Sequence, residues 1–126
     1  MQWSWLIIAV VVVGYALWMR RGAKGIQQMN AAALQGRLKD DARTIEVVDV
    51  REPFEFSGGH IARAKNIPLG KIDERMAQLP KDKDVVFVCR SGNRSMAAAR
   101  KARQAGITSV YNLSGGMSRW TGTVSK

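Results

Sequence analysis

Apolar positions fall into two regimes along the chain. From Trp3 to Met19 they are nearly continuous and no side chain is charged. From Gly25 onward they come in short runs, alternating with stretches where apolar residues recur at helical spacing. The first regime predicts one long helix. The second predicts strands alternating with helices.

In the second regime, Ile26 to Met29 reads as a short strand. Asn30 is suited to cap a helix over Ala31 to Leu38, where Leu34 and Leu38 share a face. Thr44 to Val50 is nearly continuous in β-branched residues, which predicts a central, parallel strand. Pro53 suits the first turn of a helix. Gly58 to Ile61 reads as a turn, and Ala64 to Pro68 as a short edge strand that Pro68 ends. Ile72, Met76 and Leu79 predict an amphipathic helix over Lys71 to Leu79, closed by Pro80. Asp84 to Val88 is a strand, and Ser95 to Ala105 an alanine-rich helix stopped by Gly106. Val110 to Leu113 is the last strand, followed by a Gly115-Gly116 turn and a short helical piece carrying Trp120. The class is α/β: a small, mostly parallel sheet flanked by helices on both faces, preceded by one apolar helix. In such sheets the loops at the C-terminal strand ends carry the chemistry. Asp49-Val50-Arg51 and Cys89 to Arg94 fall at such ends.

The N-terminal stretch changes the picture of where the domain sits. As a helix, Met1 to Met19 would rise about 28 Å, near the roughly 30 Å hydrocarbon thickness of a bilayer. Trp3 and Trp5 lie at one end and Trp18 at the other, as in an aromatic belt. Arg20, Arg21 and Lys24 follow it, whereas a cleaved signal peptide would carry its basic residues first. The expectation is an uncleaved single-pass anchor in a bacterial inner membrane, with the remaining domain on the cytoplasmic side. The chain then divides into an anchor over residues 1–21, a linker over 22–25, a domain over 26–121 and a tail over 122–126.

Charge adds little to this. The net charge is +10, and from Gly25 onward 17 Lys or Arg stand against 10 Asp or Glu. That excess suits solubility and an anionic membrane surface. No basic helix with interleaved aromatics points to nucleic acid. One cysteine and one histidine do not make a usual metal set, and nothing calls for a cofactor.

The chemistry concentrates in Cys89-Arg90-Ser91-Gly92-Asn93-Arg94-Ser95. A buried strand ends at the only cysteine, a tight loop follows, and a helix begins. Such a loop turns backbone N–H groups inward and favours thiolate over thiol. His60 lies in a distant glycine turn, and nothing in the chain places it beside Cys89 as a base. Activation then falls to the loop N–H groups, the helix N-terminus and the arginines.

The sequence here resembles the rhodanese family of sulfurtransferases over roughly Ile26 to Trp120. Val47 to Glu52 is similar to the family's second-strand motif. Gly59-His60-Ile61 with Ala64 and Asn66-Ile67-Pro68 is similar to the next. Cys89 to Ser95 resembles the active loop, and Leu113 to Gly116 with Trp120 the closing motif. The resemblance implies that Cys89 takes up a sulfane sulfur as a persulfide. Backbone N–H groups over Arg90, Ser91, Gly92, Asn93, Arg94 and Ser95 would cradle the outer sulfur. Arg94 would hold an anionic donor, with Arg90 at the rim. Asp49 and Arg51 would form a supporting pair, and His60 would be structural. Cell-cycle phosphatases sharing the fold have a loop one residue longer, so the six-residue form favours sulfur over phosphate. Thiosulfate or another sulfane donor is the expected substrate, and a thiol or cyanide the acceptor. With no second cysteine the persulfide must pass to another molecule. A tethered sulfur relay serving a membrane protein remains the alternative, with an arsenate reductase or phosphatase further behind.

Overall fold

The computed structural model describes residues 2–23 and 25–126, with side chains outside 19–24. The chain begins with α1, Ser4–Ala23. Its described side chains, from Ser4 to Trp18, are exposed on every side, including Trp5, Ile7, Val10 and Leu17. The uncharged part of the helix, from Ser4 to Met19, rises roughly 24 Å, short of a roughly 30 Å hydrocarbon core. Among the described residues no helix is long and apolar enough to cross a membrane. This corrects the single-pass span expected over residues 1–21. Of the expected linker, Gly22 and Ala23 end α1, and Lys24 lies outside the described residues.

The domain is one five-stranded parallel sheet with a two-stranded ribbon beside it. Its elements in order are β1 (Ile26–Met29), α2 (Ala31–Asp40), β2 (Ile45–Asp49), α3 (Pro53–Ser57), β3 (His60–Ile61), β4 (Lys65–Asn66), α4 (Ile72–Arg75), β5 (Asp84–Val88), α5 (Asn93–Gln104), β6 (Val110–Leu113) and β7 (Val124–Ser125). The strand order is β1-β6-β5-β2-β4. β5 is central, paired with β2 and β6. This is the expected α/β class.

Side-chain alternation along β5 feeds two cores. Val85, Phe87 and Cys89 join Ala98, Ala99 and Ala102 of α5, with Ile72 and Leu79, on one face. Val86 and Val88 join Leu34 of α2, Ile61 and Leu113 on the other. The alanines matter because a small side chain lets α5 lie close on the sheet. Asn30 caps α2 as expected, its Oδ1 accepting the Ala33 N–H at 2.8 Å.

Three local expectations change. The helix over Lys71 to Leu79 is broken into α4 and a 3₁₀ turn at Met76–Gln78. Ile72 and Leu79, on either side of the break at Arg75, are both buried in the core. His60 and Ile61, read as a turn, form β3 and pair antiparallel with β7, so the residues read as a tail over 122–126 include a strand. α5 starts at Asn93 rather than Ser95. Gly92 sits at φ 111°, a left-handed turn that starts the helix early and puts Asn93 and Arg94 in its first turn.

Candidate active site

Cys89 follows β5 directly and is 1% exposed. The Gly92 N–H donates to its Sγ at 3.0 Å, and the Ser95 Oγ lies 3.2 Å away. Burial pushes the thiol pKa up. The Ser95 hydroxyl and the backbone N–H groups of Ser95, Gly92 and Ser91 outweigh it and hold the thiol below its ordinary value. The loop thus favours the thiolate, with His60 playing no part. The His60 Nδ1–H donates to the Phe56 carbonyl at 2.8 Å while its ring stacks on Phe56.

The loop keeps this shape because its carbonyls are held elsewhere. The Met117 N–H donates to the Cys89 carbonyl at 2.8 Å, and the Ser118 N–H to the Arg90 carbonyl at 2.9 Å. The Ser118 hydroxyl adds a second bond to Arg90 at 2.8 Å. With these oxygens turned outward, the N–H groups are left to face the sulfur. Gly115 and Gly116 make this approach possible, both with positive φ.

Ser95 has one hydroxyl hydrogen and two takers. It donates to Asn112 Oδ1 at 2.5 Å, and Asn112 Nδ2 donates to Gln28 Oε1 at 2.8 Å. When Cys89 is a thiolate, the same hydrogen can turn to sulfur. Ser95→Ala removes this donor, so the pH midpoint for alkylation of Cys89 by iodoacetamide is expected to move to higher pH. An unchanged midpoint would show that the backbone N–H groups suffice.

Asp49 and Arg51 are the supporting pair the sequence suggested, and both are buried. The Arg51 Nη2 donates to Asp49 Oδ2 at 2.7 Å and to the Gly59 carbonyl at 2.8 Å. Asn66 Nδ2 donates to the Asp49 and Arg51 carbonyls, tying β4 to the end of β2. Neither residue reaches the thiol by hydrogen bond. Asp49→Ala would leave a buried guanidinium without its carboxylate, and is expected to cost about 3–5 kcal/mol. Urea denaturation checks this.

Arg94, expected to hold an anionic donor, is half-buried and already ion-paired. Its Nη1 donates to Glu55 Oε1 at 2.7 Å and its Nη2 to Oε2 at 3.0 Å, a bidentate fork. Hydrogen bonding from Arg94 lowers the Glu55 carboxyl to about 2 against the opposing effect of burial, with help from the Glu52 N–H, so the pair stays ionised at neutral pH. Arg90 is exposed. An open cleft of about 390 Å³ is lined by Arg51, Glu55, Arg90, Met117 and Ser118. A larger groove of about 590 Å³, lined by Leu38, Ile61, Arg63 and Trp120 among others, takes no residue of the Cys89 loop.

The structure places Cys89 at the end of β5 ahead of its loop, and pairs Asp49 with Arg51 at the end of β2. Sequence reasoning missed Glu55 and Asn112. The one available signal for Glu55 was its place three residues after Glu52 at a Pro-started helix, the spacing of a capping box. Among the described residues no group of His, Cys, Asp and Glu could hold a metal ion.

A buried cysteine at a parallel strand end, its sulfur facing loop N–H groups that lower its pKa, marks the functional end of this α/β domain. The chain belongs to the rhodanese family: the rhodanese-like domain family matches residues 30–123. Uncharacterized protein YqhL of Bacillus subtilis is 33% identical over 119 residues, covering 94% of each chain. A sulfurtransferase of Allochromatium vinosum is 39% identical over 95 residues, covering 75% of this chain and 88% of its own. The crystal structure of a rhodanese-related protein from Thermoplasma volcanium superposes with a TM-score of 0.71 at 35% identity, covering 79% of this chain and 97% of that one.

Proposed function

We propose that the protein is a sulfurtransferase that carries a sulfane sulfur on Cys89. The observation that carries this reading is the thiol itself, buried, lowered in pKa and cradled by N–H groups in a six-residue loop. The sulfurtransferase relative supports it. The donor is an anionic sulfane compound of which thiosulfate is the simplest, because Arg90 stands exposed at the rim of the loop and lines the cleft. In the first step the Cys89 thiolate attacks the terminal sulfur of thiosulfate. The new sulfur–sulfur bond forms as the old one breaks, and sulfite leaves with its electron pair. In the second step cyanide or an acceptor thiolate takes the outer sulfur and the Cys89 thiolate returns. The loop N–H groups stabilise the charge carried by the outer sulfur between steps.

Steady-state thiocyanate formation tests the cycle. Parallel double-reciprocal lines against thiosulfate and cyanide are expected for a two-step transfer. Intersecting lines would reject it.

A second reading, a sulfur relay docked on a membrane protein, is favoured by α1, whose exposed apolar side chains call for cover. In both readings α1 attaches the domain to a membrane surface through its exposed apolar side chains. Val11→Lys with Val13→Lys should release the full chain from the membrane fraction; retention of the variant would show that α1 is not what attaches it. Clean persulfidation with negligible cyanide turnover would select the relay.

A further inference from the structure

Glu55 lines the cleft beside Arg51 and Arg90, a carboxylate among cations where an anionic donor would have to enter. It comes from α3 and reaches Arg94, 39 positions later in the chain. One of its oxygens also accepts the Glu52 N–H at 3.1 Å, closing a capping box. That role needs one acceptor oxygen, which a glutamine also offers. The fork to Arg94 goes beyond it: both carboxylate oxygens are given to the guanidinium that would otherwise meet a donor.

The charges around the cleft then divide simply. Arg51 is taken by Asp49 and Arg94 by Glu55. Arg90 is the cleft-lining cation that remains at the rim. An entering anion must compete with Glu55 for Arg94 and is repelled by the same carboxylate. The repulsion grows with the charge the anion carries.

We propose that Glu55 is a specificity-determining residue that sets the charge of the sulfane donor, favouring monoanions of the organic thiosulfonate class over dianionic thiosulfate. This rests on the reading of Cys89 as a sulfur carrier. The chemistry at sulfur is the same for both donors. The Cys89 thiolate attacks the terminal sulfur of a thiosulfonate, the donor's sulfur–sulfur bond breaks, and a sulfinate leaves with the electron pair. Thiosulfate loses sulfite in the same way. The two donors thus break the same kind of bond and differ in charge.

The test is the second-order rate of Cys89 persulfide formation with methanethiosulfonate anion and with thiosulfate, at fixed low ionic strength. It compares the full-length wild type with Glu55→Gln, which keeps the capping acceptor. Removing one negative charge changes the interaction with a dianion by twice as much as with a monoanion. Glu55→Gln is therefore expected to speed thiosulfate about tenfold and methanethiosulfonate about threefold, with both gains shrinking in high salt. Equal changes for both donors, or none, would overturn the proposal and leave Glu55 a capping residue only. Failure of the wild type to take sulfur from either donor would overturn the sulfur-carrier reading itself, a result visible before the variant is compared.

Discussion

Cys89→Ser is expected to abolish sulfur transfer while leaving the fold intact. A hydroxyl stays protonated at neutral pH and cannot form a persulfide, so the two-step route is lost rather than slowed. The N–H groups that hold the sulfur in place, led by Gly92, would meet a hydroxyl oxygen instead and remain satisfied. Serine is close to cysteine in volume, and the core on that face is built chiefly by Phe87, Ala98, Ala99 and Ile72. Thiocyanate formation should fall at least about a thousandfold. The urea midpoint should move by no more than about 1 kcal/mol equivalent. Retention of a tenth of the activity would mean that another group attacks the donor.

Gly116→Ala should damage the site as severely by a different route. Gly116 has φ 55°, and a Cβ there would lie 2.3 Å from the Cys89 carbonyl oxygen and 2.7 Å from the Arg90 carbonyl. Both neighbours are backbone, so the strain cannot be relieved by rotating a side chain. The contacts it would push apart are those that turn the loop carbonyls away from the sulfur, from Met117 and Ser118. The expected cost is about 2–4 kcal/mol in stability, with loss of the lowered thiol pKa as the nest opens. Urea denaturation and the pH dependence of Cys89 alkylation report the two effects separately. A variant with native stability and an unchanged alkylation profile would show that the closing turn does not shape the loop.

Much of this architecture could be read from the chain because it is encoded locally. The β-branched run from Ile45 to Val50 made β2 legible, and the asparagine before Ala31 made its helix start legible. Cys89 and its loop were legible because strand, loop and helix follow one another without interruption. What stayed hidden depends on distance in the chain. The Arg94–Glu55 fork joins α5 to α3, and no residue near Arg94 announces it. Asn112 meets Ser95 only because β6 lies beside β5. β3 and β7 are two residues each, too short for any alternation to show. The segment after Leu69 kept helical spacing while its backbone broke at Arg75, because spacing records which side chains are apolar and not how tightly the turn is wound. The apolar run at the N-terminus predicted α1, but its uncharged part ends at Met19, and among the described residues no helix is long and apolar enough to cross a membrane.

The pairing of Arg94 with Glu55 also alters how the loop is understood. Two arginines near a thiolate suggested an open anion trap. One of them is already neutralised, so the thiolate depends chiefly on N–H groups and Ser95 for its stabilisation. Backbone donors of this kind do not titrate and are fixed by the same hydrogen bonds that hold the closing turn. The N–H cradle around the Cys89 sulfur is thus preorganised by the fold itself.

The intact mass of the full-length protein after incubation with thiosulfate is the most direct measurement. The account predicts a gain of about 32 Da, one sulfur atom, that cyanide removes and that Cys89→Ser does not acquire. No gain with thiosulfate, methanethiosulfonate or any other sulfane donor would contradict it.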